Sequence, residues 1–175
     1  MAASGRTRRR IIAVIGNGRA TPEAIAAAEE LGRLIVERGY RVVTGGLGGV
    51  MEAASRGARS ASSYTEGDVI GILPSGDRET ANPFVDIAIP TNMGYARNVL
   101  VVATADAVIG VGGGAGTLTE LAMAWQLGRV VIGLDVEGWS RKLAGEKIDG
   151  QRPDTVIAAA DPADALRKLV QALGD

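Results

Sequence analysis

Whatever chemistry this 175-residue chain performs, it performs without cysteine or histidine. Their absence removes disulfides, thiolate nucleophiles, imidazole bases and the usual zinc or iron ligands, so no metal site is expected. The only lysines are Lys142, Lys147 and Lys168, against sixteen arginines, and all three lie beyond the glycine-rich turns. A Schiff-base mechanism therefore lacks a well-placed amine. Carboxylates, arginine, hydroxyls and backbone amides remain.

The backbone amides are concentrated in Gly112-Gly113-Gly114-Ala115-Gly116-Thr117-Leu118-Thr119-Glu120, which joins the apolar run Ala107 to Val111 to the apolar run Leu118 to Leu127. Unpaired amides and the helix dipole favour an anion at such a junction, and missing Cβ atoms let it approach. Gly113, Gly114, Ala115, Gly116 and Thr117 are therefore candidate phosphate contacts. Two more glycine turns follow strand-like runs: Gly16-Asn17-Gly18 after Ile11 to Ile15, and Gly45-Gly46-Leu47-Gly48-Gly49 after Val42-Val43-Thr44. They add Gly16, Asn17, Gly18, Gly45, Gly46, Gly48 and Gly49 to the candidates. Gly18 is followed by Arg19-Ala20-Thr21, without the third glycine of a dinucleotide fingerprint. The competing reading of each turn is a tight strand-to-helix connection without a ligand.

Two charged residues stand out. Glu120 lies three residues after Thr117, where it completes a Thr-x-x-Glu capping box or else places a carboxylate beside the phosphate loop, within reach of a sugar. Arg97, in Met93-Gly94-Tyr95-Ala96-Arg97-Asn98, is the lone charge between Asp86 and Asp106. It is a forked donor for phosphate or carboxylate, or a solvated surface residue.

The elements that must position these residues alternate. A helix capped by Thr21, with Pro22 in its first turn, runs to about Arg38 and carries Ile25, Ala28, Leu31, Leu34 and Ile35 at helical spacing. Strands are expected at 41–44, 68–73, 85–89, 107–111, 130–134 and 155–159. Helices are expected at 49–61, 93–104, 117–127, 139–145 and from Asp161 onward. The polar loop Pro74 to Pro83 is a candidate rim or lid, or simply surface. Such βα alternation predicts a single-domain α/β protein whose parallel sheet is wound on both faces by helices, with ligands at the C-terminal strand ends, where all three glycine turns fall.

Composition narrows the partners. Aliphatic residues dominate the 46% hydrophobic content, and aromatics are only 3%. No apolar stretch is long enough to span a bilayer, and Met1 to Arg10 has no apolar region behind it, so a cytoplasmic protein without membrane contact is expected. A net charge of −1 and few aromatic platforms argue against nucleic acid. Residues 1–10 read as a flexible basic arm or an anionic contact, and 11–175 as the domain.

Gly113 to Glu120 resembles the GGxGTxxE motif of the LOG ("lonely guy") family, cytokinin-activating phosphoribohydrolases often mislabelled as lysine decarboxylases. Gly45 to Met51 is similar to that family's GGxxGLM turn, Met93 to Arg97 to its M-x-x-x-R helix start, and Trp125 to Gly128 with Asp135 to Trp139 to its closing segments. The resemblance implies a Rossmann-like fold, adds Met93 to the ligand-binding set, and makes Arg97 and Glu120 catalytic in cleaving the N-glycosidic bond of a purine nucleoside 5′-monophosphate, with no cofactor required. Gly112 stands where the family usually has Pro, and Asn98 where Lys commonly follows the Arg. The spacer from Ser75 to Thr91 resembles instead a sister branch that includes molybdenum cofactor carrier-like proteins. That branch implies a non-catalytic carrier holding a molybdopterin-type ligand, a pterin bearing a phosphate. Both branches imply a small phosphorylated ligand. Apolar residues around much of 93–104 and 118–127 predict a homodimer or a tetramer.

Overall fold

The computed structural model describes residues 8–175. Seven strands form one parallel sheet: β1 (Ile11–Gly16), β2 (Arg41–Thr44), β3 (Val69–Leu73), β4 (Ile87–Pro90), β5 (Ala107–Val111), β6 (Val130–Leu134) and β7 (Ile157–Ala159), in the order β4-β3-β2-β1-β5-β6-β7. The chain winds outward from β1 to β4, crosses back to β5 beside β1, and continues to β7. The order therefore reverses between β1 and β5, where Ile12 pairs with Val42 on one side and Ala107 on the other. In open α/β sheets that switch point is where ligands bind.

The helices are α1 (Pro22–Glu37), α2 (Val50–Ser60), α3 (Asn98–Thr104), α4 (Ala115–Gln126), α5 (Trp139–Leu143) and α6 (Pro162–Leu173). Strand side chains alternate between two aliphatic cores, as a sheet covered on both faces requires. Ile12, Val14, Ile109 and Ile132 pack under α1, α2 and α6, whereas Ala13, Ile15, Val108 and Val131 pack under α3 and α4. Among the described residues no helix is long and apolar enough to cross a membrane.

Three local expectations change. Helix α4 begins at Ala115 with Gly114 as its N-cap, so Thr117 lies inside the first turn and the Thr117–Glu120 capping box does not form. The segment expected as helix from Met93 is a 3₁₀ turn over Gly94–Arg97, with α3 starting only at Asn98. Positive φ at Asn92 and Gly94 keeps Met93 out of the helix. At the N-terminal edge of the sheet, Arg8 bonds Asp106, Arg9 bonds Asp68 and Arg10 bonds Asp175. Burial pushes the Asp68 and Asp106 carboxyls up, but the arginine and amide hydrogen bonds outweigh it and hold both below the ordinary range. The rest of the basic run, residues 1–7, lies outside the described residues.

Candidate functional site

A cavity of about 390 Å³ opens at the switch point. Its walls come from the end of β1 and its turn (Gly16, Asn17, Gly18), the β2–α2 turn (Gly45, Leu47, Met51), the 3₁₀ segment (Tyr95, Arg97, Asn98) and the start of α4 (Gly116, Thr117, Glu120).

Helix N-termini decide where an anion would sit. Helix α1 is capped by the Thr21 side chain and has Pro22 in its first turn; α6 is likewise capped by Asp161 and has Pro162. Each therefore has one first-turn amide taken by its cap and another removed by proline. Helix α2 has no side-chain cap, but its first amide, at Val50, donates to the Asn17 carbonyl at 3.0 Å. Helix α4 has no side-chain cap either. Its loop is clamped from two directions: the Gly114 amide donates to Asn17 Oδ1 at 2.9 Å, and the Gly112 amide to Ser140 Oγ at 2.7 Å. The first-turn amides of Ala115, Gly116 and Thr117 have no intrahelical acceptor. Gly113, with φ +97, makes the turn; a Cβ there would lie 2.4 Å from the Thr117 side chain.

Arg97 and Glu120 are the charged groups of the cavity, 8% and 7% exposed. Burial pushes the Arg97 guanidinium down, and the Glu120 charge opposes the shift. Burial pushes the Glu120 carboxyl up to about 7, with Arg97 pulling the other way. The hydrogen bonds of Arg97 go to Asn98 Oδ1 and, at 3.4 Å, to the Gly45 carbonyl, and its Nε is buried without a partner. Gly45 supplies the slot, since a Cβ there would lie 2.3 Å from Arg97 Nη2. A carboxyl close to neutrality and an unfilled arginine donor thus sit beside free helix amides, an arrangement able to hold a phosphorylated ligand or to offset charge developing on one.

The fold brings Gly16, Asn17, Gly18, Gly45, Arg97, Gly116, Thr117 and Glu120 into one cavity. Gly113 and Gly114 form the loop beneath it, and Ala115 is exposed at the helix start. Gly46, Gly48, Gly49 and Met93 are not in its wall. The Gly46 amide donates to Thr44 Oγ1, Gly49 packs against Asn17 and Gly18, and Met93 is half-exposed outside. The polar loop does not line the cavity; Asn82 instead braces the second glycine turn, donating from Nδ2 to the Leu47 carbonyl at 3.0 Å. Leu47, Met51, Tyr95 and Asn98 were not among the expected contacts, although the motifs contained them. Ser140, which clamps the loop before α4 from α5, carried no sequence signal.

The fold is that of a Rossmann-like α/β protein with a cavity at the switch point of its sheet. The chain belongs to the SLOG cluster4 family, whose pattern matches residues 9–166. It is similar over nearly its whole length to the molybdenum cofactor binding protein of Rippkaea orientalis, with 37% identity, a TM-score of 0.84, and 97% of this chain and 99% of that one covered. The molybdenum cofactor carrier protein of Chlamydomonas reinhardtii is 30% identical, with a TM-score of 0.81, over 95% of this chain and 100% of that one. A cytokinin riboside 5′-monophosphate phosphoribohydrolase of Mycobacterium tuberculosis is 36% identical over 105 residues, 59% of this chain and 54% of that enzyme. The chain thus spans about half the length of that relative.

Proposed function

We propose that this protein binds a phosphorylated pterin of the molybdenum cofactor type and carries it. The observation behind this reading is the likeness to a molybdenum cofactor binding protein, 37% identical over 97% of this chain and 99% of that one. The phosphate sits on the amides of Gly116 and Thr117 at the α4 N-terminus, with Arg97 supplying the further donor. Asn17 holds the loop in register. The test is chemical analysis of protein purified from cells that make the cofactor. Denaturation should release molybdenum and a fluorescent oxidised pterin in near-stoichiometric amount. Protein that copurifies with neither, even from such cells, counts against the reading.

The buried Glu120 and Arg97 favour a second reading, hydrolysis of a nucleoside 5′-monophosphate. Water would add at the anomeric carbon as the base departs, with Glu120 near the ribose stabilising oxocarbenium character and Arg97 offsetting charge on the leaving base. Free base released from AMP, and lost in Glu120→Gln, would favour it. Assembly is a proposal on the same footing. Val99 and Leu127 stay half-exposed on α3 and at the end of α4, and a homodimer, or a tetramer built from it, would cover them. Light scattering at micromolar concentration reads the mass.

A further inference from the structure

Six aromatic residues serve this chain, and five of them are spoken for. Each carries a cation over its ring: Arg38 over Tyr40 at 5.4 Å, Arg59 over Tyr64 at 5.4 Å, Arg56 over Phe84 at 5.8 Å, Arg152 over Trp125 at 4.3 Å and Lys142 over Trp139 at 4.9 Å. Tyr40 and Tyr64 also donate their hydroxyls, to Asp175 and Asp86. Tyr95 has neither a cation over its ring nor a hydroxyl partner among the described residues, and it is 91% exposed. Yet it lines the cavity at the switch point.

Its backbone is not loose. The Gly94 amide donates to the Pro74 carbonyl at 2.9 Å, and the Ala96 amide to the Met93 carbonyl at 3.1 Å, so the 3₁₀ turn is tied down on both sides of Tyr95. The turn presents an aromatic face to open space at the mouth of the cavity. Deeper in the same cavity lies the Met51 thioether, whose sulfur would stand 2.7 Å from a Cβ at Gly45 and whose methyl would stand 3.8 Å from one at Gly18. Apolar surface therefore lines the cavity at its mouth and inside, while free amides and Arg97 supply the polar contacts. A ring system with a phosphate has the matching chemistry.

We propose that Tyr95 is the stacking platform for the flat, fused, nitrogen-containing ring of the ligand. This rests on the reading of the cavity as a site for a phosphorylated heterocycle. It adds a residue and a contact type that reading lacks. A ligand ring laid on Tyr95 covers the one aromatic ring that has no cation over it, and the phosphate then lies inward on α4.

The experiment compares wild type, Tyr95→Phe and Tyr95→Ala. Two probes distinguish the source of the ring: neopterin monophosphate, followed by its own fluorescence, and AMP, followed by calorimetry. Stacking on an aromatic side chain predicts a loss of roughly 5- to 150-fold in affinity for Tyr95→Ala. Tyr95→Phe should bind as wild type does. At this exposure neither change should move the melting temperature. Tyr95→Ala binding as tightly as wild type overturns the proposal and leaves the cavity reading intact. Tyr95→Phe losing as much as Tyr95→Ala also overturns it, since the hydroxyl rather than the ring would then make the contact. A fall in molecular mass accompanying the loss in Tyr95→Ala overturns it in favour of a subunit contact. Wild type binding neither probe overturns the proposal and the cavity reading together.

Discussion

Asn17 Oδ1 accepts the Gly114 amide at 2.9 Å, across the point where the strand order reverses. The Asn17 carbonyl also accepts the Val50 amide at 3.0 Å. One residue after β1 thus ties the start of α2 to the loop before α4. It takes up the amides of Gly114 and Val50 and leaves those of Gly116 and Thr117 without an acceptor from Asn17.

Asn17→Ala should release the α4 loop and weaken binding of a phosphorylated ligand about tenfold, with a loss of about 1 kcal/mol in stability from the deleted hydrogen bond. Asn17→Asp should be worse for the ligand, because a carboxylate beside the phosphate repels it. Ligand titration alongside thermal denaturation checks both. An Asn17→Asp protein that binds as well as Asn17→Ala would remove the charge argument.

Glu120 makes the site pH-dependent. Its carboxyl is raised by burial from the ordinary 4.5 to about 7, against the pull of Arg97. Below 4.5 the folded and unfolded chains are both protonated there and nothing is lost. As pH rises from 4.5 to 7 the unfolded chain ionises first, so stability falls, by on the order of 3 kcal/mol once pH exceeds 7. Glu120→Gln should therefore stabilise the ligand-free protein at pH 8 and leave it unchanged at pH 4. A bound phosphate raises the Glu120 carboxyl further, so binding takes up a proton and affinity declines above pH 7. That decline should vanish in Glu120→Gln. Melting curves and binding isotherms across pH 4–9 test both signs.

Gly45→Ala should act through Arg97. The added methyl would stand 2.3 Å from Arg97 Nη2 and 2.7 Å from Met51 Sδ, so the guanidinium must leave its slot against the β2–α2 turn. Ligand affinity should drop about as far as in Arg97→Leu, and combining the two changes should cost little more than either alone. Additive losses in the double variant would mean that Gly45 contacts the ligand independently.

The parallel sheet and the glycine turns were legible because each depends on local signals: apolar runs of strand length, helical stripes, and proline or glycine at element ends; the strand order and its reversal between β1 and β5 are non-local and came only with the fold. The start of α4 was not. Thr117 and Glu120 imitate a capping box, and a glycine-rich run carries no side-chain signal for where the helix begins. With Gly114 as N-cap the helix gains two residues, and Thr117 and Glu120 fall one turn apart in the cavity wall. Leu47 and Met51 were hard to assign for another reason. An apolar residue in a cavity wall and one in the core have the same chemistry, and only the fold separates them.

Ser140 is the clearest case of a role invisible in sequence, and it yields the last prediction. Gly110 and Gly133 pair across β5 and β6, and the absence of two side chains lets α5 settle onto the sheet. A Cβ at Gly133 would stand 2.3 Å from the Ser140 carbonyl, and one at Gly110 3.3 Å from Ser140 Cβ. So seated, the fully buried Ser140 hydroxyl donates to the Leu134 carbonyl at 2.8 Å and accepts the Gly112 amide. Ser140→Ala should orphan that buried amide and cost about 1–3 kcal/mol. Gly133→Ala should lift α5 and break the same bond without touching the serine. Both variants should melt earlier and bind the phosphorylated ligand more weakly, because the loop that aims the α4 amides loses its second clamp. Unaltered ligand affinity in either variant, at a temperature where it remains folded, would show that Asn17 alone holds the loop.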